Sequence, residues 1–274
     1  MKYAFMTWST PDLDLDSVLE TAKRFDYEGV ELRIGRGRHH GFETSQKHGV
    51  EINTDPPTRQ AIRRKIAESG IIACCIATSC SYADPTQTEI QIDETIESID
   101  LASDMGIATL RVFGGVLPQG VSREQAIDCV SSSLRSVADH AQQRNVIVCM
   151  ETHDDWCHPD HVAQVMQRVD HSAIAVNWDI MHPVRSAGFS MDQSYEILKP
   201  WIKHVHFHDG TVQTEPLVMK PIGEGDIDHR RALERLIADG YDGFLSGEWI
   251  EWEPYETHLP RELQTMRRLE KAIS

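Results

Sequence analysis

The chain has 274 residues, 40% of them hydrophobic, with 43 acidic against 27 basic side chains and a formal net charge of −16. That length buries a full core and suits one large α/β domain, and so negative a field repels nucleic acid and anionic membrane, which argues against a DNA-processing role. No run of eighteen apolar residues occurs, and "MKYAFMTWSTPD" turns polar too early for a signal peptide, so a soluble cytoplasmic protein is expected.

In chain order, eight short β-like runs recur: "YAFMTWS" near residue 3, "GVELRIG" near 29, "IIACCIATS" near 71, "ATLRVFGG" near 108, "VIVCMETH" near 146, "IAVNWDIMH" near 174, "IKHVHFHD" near 202 and "FLSGEWIEW" near 244. Longer segments of helical period separate them. In "LDSVLETAKRF" the apolar stripe is Val18, Leu19, Ala22 and Phe25, and two later helices are expected to stop at Gly106 and Gly240. Strand and helix alternating eight times predicts a parallel sheet, and the length suits its closure into a (β/α)8 TIM barrel, one domain over residues 1–274. An open doubly wound sheet is the competitor, but "TWSTPDLDLD" stands where a glycine-rich dinucleotide loop would open the first βα turn. A long polar insertion over about 35–58 follows the second strand, on the face where barrels build sites. Cys74, Cys75, Cys80, Cys129, Cys149 and Cys157 form no CxxC pair and read as reduced packing residues.

The carboxyl ends of barrel strands converge on one mouth, so polar residues there belong together however distant in sequence. Glu151 ends "VIVCME", Asp179 ends "IAVNWD", His206 lies in "HVHFHD" and Glu248 ends "FLSGE". Three carboxylates held close repel one another unless a cation joins them, and an oxygen-rich set with one imidazole suits Mn2+ foremost, with Mg2+, Co2+ or Zn2+ as alternatives. In "HVHFHDG" the period of two puts His204, His206 and His208 on one face and Val205 and Phe207 on the other. His153 and His182 are placed to contact substrate oxygens. Trp8, Trp156, Trp249 and Trp252 stand at or past strand ends, where an indole stacks on a sugar face or anchors a loop. Arg33 and Arg111 belong to strands, to balance the acidic cluster or to grip a substrate anion.

Together, "METH", "NWDIMH", "HVHFHDG", the "PIGEGDID" loop and "GEW" resemble the sugar phosphate isomerase/epimerase superfamily of xylose isomerase-like TIM barrels, and "GVELR" and "LRVFGG" match its earlier strands. Its members include ketose 3-epimerases, hydroxypyruvate isomerases, inosose dehydratases and apurinic-site endonucleases. The resemblance implies that Glu151, Asp179, His206 and Glu248 hold the divalent ion and that Glu151 and Glu248 double as the acid and base pair. It implies substrate-binding roles for His153 and His182; His208 takes the place where relatives carry Lys or Asn, and is read with Arg111 and Trp8 as substrate-binding.

The activity implied is a metal-dependent isomerase or epimerase of a ketose or keto-polyol, removing the proton beside a carbonyl through a metal-bound enediolate. A lyase of the same superfamily, an inosose-type dehydratase or C-glycoside deglycosidase subunit, is the alternative, and a non-catalytic metal-bearing subunit a second one. Val212 stands where the ketose 3-epimerases have an arginine, which points away from a strict tagatose-type enzyme. The expected partners are a small sugar-like molecule and further copies of the chain, as a homodimer or homotetramer, with neither nucleic acid nor membrane.

Overall fold

Each strand of a closed barrel has one face toward the surrounding helices and one toward the barrel axis, and the buried charges gather on the axial side. The structure, a computed structural model, describes residues 1–35, 38–39, 42–43 and 45–273, with 38–39 and 42–43 described as backbone alone. Eight parallel strands close the barrel: β1 (Lys2–Met6), β2 (Gly29–Arg33), β3 (Ile72–Ser81), β4 (Thr109–Phe113), β5 (Ile147–Glu151), β6 (Ile174–Asp179), β7 (Ile202–Phe207) and β8 (Phe244–Gly247). Each pairs with its neighbours in sequence, and β8 returns to β1 with Leu245 opposite Tyr3.

Around them lie α1 (Leu15–Arg24), α2 (Pro56–Ser69), α3 (Thr88–Met105), α4 (Arg123–Gln143), α5 (Pro159–Val169), α6 (His182–Ala187), α7 (Met191–Leu198), α8 (His229–Ala238) and α9 (Tyr255–Ile273). One parity of the strands supplies Tyr3, Phe5, Val30, Leu32, Val148, Met150, Val176, Trp178, Val205 and Phe207, which pack with the helices into one apolar cluster. The other parity carries Glu31, Arg33, Arg111, Glu151, Asp179, His204 and His206, all buried. Barrel interiors are ordinarily filled by branched aliphatics; here the axis carries these charges alongside Ala4, Met6, Cys75 and Ala77.

Sequence signals set several helix ends. Asp14 accepts the Ser17 N–H at 2.9 Å to cap α1, and Ser122 with Gln125 forms a reciprocal capping box on α4. Gly106 ends α3 in the left-handed region at φ 76°, which glycine adopts without strain. The predicted runs are shifted at their ends: the first strand stops at Met6 and Thr7–Ser9 form a 3-10 turn, while β3 continues to Ser81. Val18, Leu19 and Ala22 are buried as expected, whereas Phe25 caps α1 partly exposed. Residues 56–58 belong to α2 rather than to a loop, because Asp55 caps the Thr58 N–H at 3.0 Å and proline opens the first turn. Within the insertion the backbone forms a two-stranded antiparallel pair, Arg38 opposite Glu43; residues 36, 37, 40, 41 and 44 lie outside the described residues.

A second antiparallel pair, Asp209–Gly210 with Met219–Lys220, projects beyond β7. Its loop is tied down from α6: Arg185 donates to the Thr211 carbonyl at 2.6 Å and the Thr214 carbonyl at 3.0 Å and pairs with Glu215 at 2.6 Å. The following loop closes on the buried Asp209 carboxylate, which accepts N–H groups from Gly210 and Gly223 at 2.8 Å and from Gly225 and Ile227 at 3.2 Å. Gly225 permits this closeness, since a Cβ there would stand 2.1 Å from the Asp209 carboxylate oxygen.

Candidate active site

Parallel pairing brings the ends of β5 to β8 to one level: Glu151 lies opposite Asn177, Asp179 opposite His206, and His206 opposite Ser246. One ligand atom from each of Glu151, Asp179, His206 and Glu248 lies within 4.8 Å of all the others, and all four residues are buried. His206 Nδ1 stands 2.7 Å from Glu151 Oε1 and 3.3 Å from Glu248 Oε2. The Asp179 carboxylate is divided in function. Its Oδ1 accepts the Met181 and His182 N–H groups at 2.8 and 3.2 Å, and its Oδ2 accepts no aligned hydrogen bond, although His208 Nε2 lies 3.0 Å away.

Electrostatics bind this cluster together. Burial alone would raise the Glu248 carboxyl, but the hydrogen bond and charge of His206 bring it down to about 2. Burial opposes the charge on the His206 imidazole, and Glu31 and Glu151 overcome it, holding His206 well above the ordinary histidine range. Burial likewise opposes ionisation of Asp179, which His208 and His182 pull well below the carboxylate range. Among the described residues, the barrel interior thus holds four buried carboxylates, Glu31, Glu151, Asp179 and Glu248, against two buried guanidinium groups, Arg33 and Arg111. With His206 neutral, as a ligand to a metal must be, the two-charge excess and the unaligned oxygens Glu151 Oε2 and Asp179 Oδ2 fit one divalent cation in an oxygen-rich site with an imidazole.

Above the cluster opens a cavity of about 630 Å3 lined by Trp8, Phe113, His153, His182, His208 and Glu248, with Leu217, Val218 and Met219 of the hairpin loop over it. His153, His182 and His208 form a row of imidazoles with successive ring centres 4.5 and 5.5 Å apart. Burial disfavours a charged His153, but its hydrogen bond to Asp154 and the charge of Glu151 raise it to about 9. Burial keeps His182 neutral, down at about 4.

Of the side chains singled out in the sequence, Trp8, His153, His182, His208 and Glu248 border the cavity, and Glu151, Asp179 and His206 lie beneath it. Arg111, expected to contact substrate, does not border the cavity: it is fully buried, donates to the Thr78 carbonyl at 2.7 Å and pairs with Glu151 at 3.2 Å. As the third residue of a five-residue strand it points to the axis one level below the rim. Trp156 is a loop anchor, donating to the Gly115 carbonyl at 2.8 Å with its ring against Gly114. Trp249 packs on Phe207 and Gly247 in the core, while Trp252 reaches the cavity. Two features went unread: the hairpin loop, whose sequence has no period, and Glu31, whose place between Val30 and Leu32 put it on the axial parity all along.

The model of the xylose isomerase-like TIM barrel family matches residues 19–269. The chain belongs to that family. A 3-dehydroshikimate dehydratase of Bacillus anthracis is 24% identical over 211 residues, 76% of this chain and 71% of that protein. Among solved structures, a probable 3-dehydroshikimate dehydratase from Bacillus anthracis superposes with TM-score 0.78 at 19% identity, over 97% of this chain and 99% of the other. A D-tagatose 3-epimerase-like protein superposes with TM-score 0.78 at 16% identity, over 100% and 98%. Two further structures of this fold carry metal: one from Mycobacterium smegmatis in complex with magnesium, TM-score 0.73 and 15% identity over 100% and 97%, and one with a zinc atom, TM-score 0.75 and 16% identity over 100% and 98%.

Proposed function

We propose that this protein is a divalent-metal-dependent enzyme that removes the proton beside the carbonyl of a ketose or keto-polyol, with isomerisation or epimerisation as the outcome. The observation that carries the reading is the buried set of Glu151, Asp179, His206 and Glu248, whose excess of negative charge calls for a cation directly beneath a cavity of substrate size. These four residues would hold the ion, Mn2+ foremost. When bound, such an ion polarises a carbonyl and stabilises negative charge on its oxygen.

The remaining work falls to the side chains. Glu248 borders the cavity and, ionised beside His206, takes the proton. Glu151, anchored by Arg111 and His206 at the same level, is the second proton-moving group. His182 and His208 donate to substrate hydroxyls, and the cationic His153 steadies charge developing on substrate oxygens. Trp8 and Phe113 give the apolar wall against which the C–H face of a sugar lies, and Leu217 to Met219 exclude water.

A lyase outcome shares the first proton removal, and the 24% identity to a 3-dehydroshikimate dehydratase favours it as the second reading. Solvent exchange separates the two. Metal-loaded protein incubated in D2O with a panel of ketoses, keto-inositols and 3-dehydroshikimate, beside a chelated control, is followed by NMR. Metal-dependent deuterium uptake with a rearranged sugar supports the proposal, water loss from the substrate supports the lyase, and no uptake with any of them refutes both.

A further inference from the structure

We propose that Glu31 is a positioning residue for the metal site: its carboxylate accepts the Nε2–H of His206 and thereby aims Nδ1 at Glu151, Asp179 and Glu248, where its lone pair would serve an ion once its proton is displaced. The inference rests on the metal reading above and adds a residue that the four-residue cluster does not contain.

A charged side chain in the middle of β2 is costly to bury unless it is fully engaged. Glu31 is fully buried on the barrel axis, and both of its oxygens lie 3.1 Å from His206 Nε2. His204 Nε2, one step deeper in the same strand, lies 2.9 Å from Oε2 and fixes the carboxylate from the other side. A carboxylate accepts and never donates when ionised, so both imidazoles present N–H to it. For His206 that choice decides the other nitrogen: Nδ1, 2.7 Å from Glu151 Oε1 and 3.3 Å from Glu248 Oε2, gives its proton to these carboxylates and is the nitrogen that would turn to a cation when one displaces that proton. A carboxylate behind a ligating imidazole fixes its tautomer and ring orientation and strengthens it as a donor to a metal.

Glu31 also comes within ligand reach of Cys75 and His204. That group is less suited to an ion of its own, because the Cys75 thiol donates to the Ile76 carbonyl and burial, reinforced by Glu31, keeps it protonated.

Titration calorimetry of chelator-stripped wild type and Glu31→Gln with Mn2+ tests the assignment. The substitution keeps shape and removes charge. The expected result is one ion per chain in both and an affinity at least tenfold weaker in the variant, the lower end of the effect of removing such a partner. Equal affinity within about twofold, or two ions per wild-type chain, overturns it; a wild type that binds no ion overturns the metal reading itself. Should the variant fail to fold, 15N NMR of Zn2+-loaded wild type decides: His206 protonated at Nε2 with Nδ1 on the metal is expected, and a metal on Nε2 overturns the assignment.

Discussion

Replacing Asp209 by asparagine tests how the loop that frames the mouth is held. The carboxylate accepts four backbone N–H groups, two on each oxygen, from Gly210, Ile227, Gly223 and Gly225. In Asp209→Asn one oxygen remains an acceptor, and the amide nitrogen that replaces the other confronts two N–H donors. Two hydrogen bonds to a charged acceptor are lost, each worth about 1.5–3 kcal/mol. The loss is therefore about 3 kcal/mol or more, and with about 2 °C of Tm per kcal/mol at this chain length the melting temperature falls by about 6 °C. Asp228→Asn is the control: Asp228 caps the Arg231 N–H at 2.9 Å, a place where asparagine serves as well as aspartate. Calorimetric melting of both variants beside the wild type is the assay. An Asp209→Asn protein that melts within about 1 °C of wild type would refute the reasoning, because two aligned donors cannot lose their acceptor without cost.

Glu248→Gln and Glu151→Gln are each expected to lower solvent-deuterium exchange into substrate by at least about 10²-fold, with circular dichroism unchanged; full exchange in either would exclude it as a proton-moving group. Arg185→Ala frees the hairpin loop from its bonds to Thr211 and Thr214, so KM should rise several-fold with Mn2+ affinity unchanged, and an unaltered KM would show that the loop closes without it. Burial pushes His48 and His258 down to about 4, so each is neutral in the fold and takes up a proton on unfolding below about 6.5. The unfolded chain binds more protons in that window, so stability is complete above pH 6.5 and falls by up to about 3 kcal/mol per histidine on the way to pH 4. His258→Phe, which keeps a ring between Trp249 and Trp252, should flatten urea midpoints measured across that range, and an unchanged slope would contradict the buried neutral imidazole.

The barrel was legible because its strands are short apolar runs ended by polar residues, while the helices between them keep a period near 3.6; that contrast survives in a single sequence. Glu151, Asp179, His206 and Glu248 were legible for the same reason, as polar residues at the carboxyl ends of consecutive strands. Position along a strand was harder to read. Arg111, two residues short of the end of β4, faces the axis below the mouth and pairs with Glu151. Glu31 is a charge inside an apolar strand, and its meaning depends on His204 and His206, more than 170 residues away, reaching the same point on the axis. The hairpin loop over the cavity gave no signal because its backbone is held by Arg185 and Asp226, contacts that leave no repeating pattern in the chain.

The central claim is that the buried cluster holds one divalent ion, and anomalous scattering from crystals grown with Mn2+ tests it most directly. A single strong peak about 2.1 Å from oxygens of Glu151, Asp179 and Glu248 and from His206 Nδ1 is the predicted result. A map with no peak there, or with its peak elsewhere in the molecule, would contradict the account.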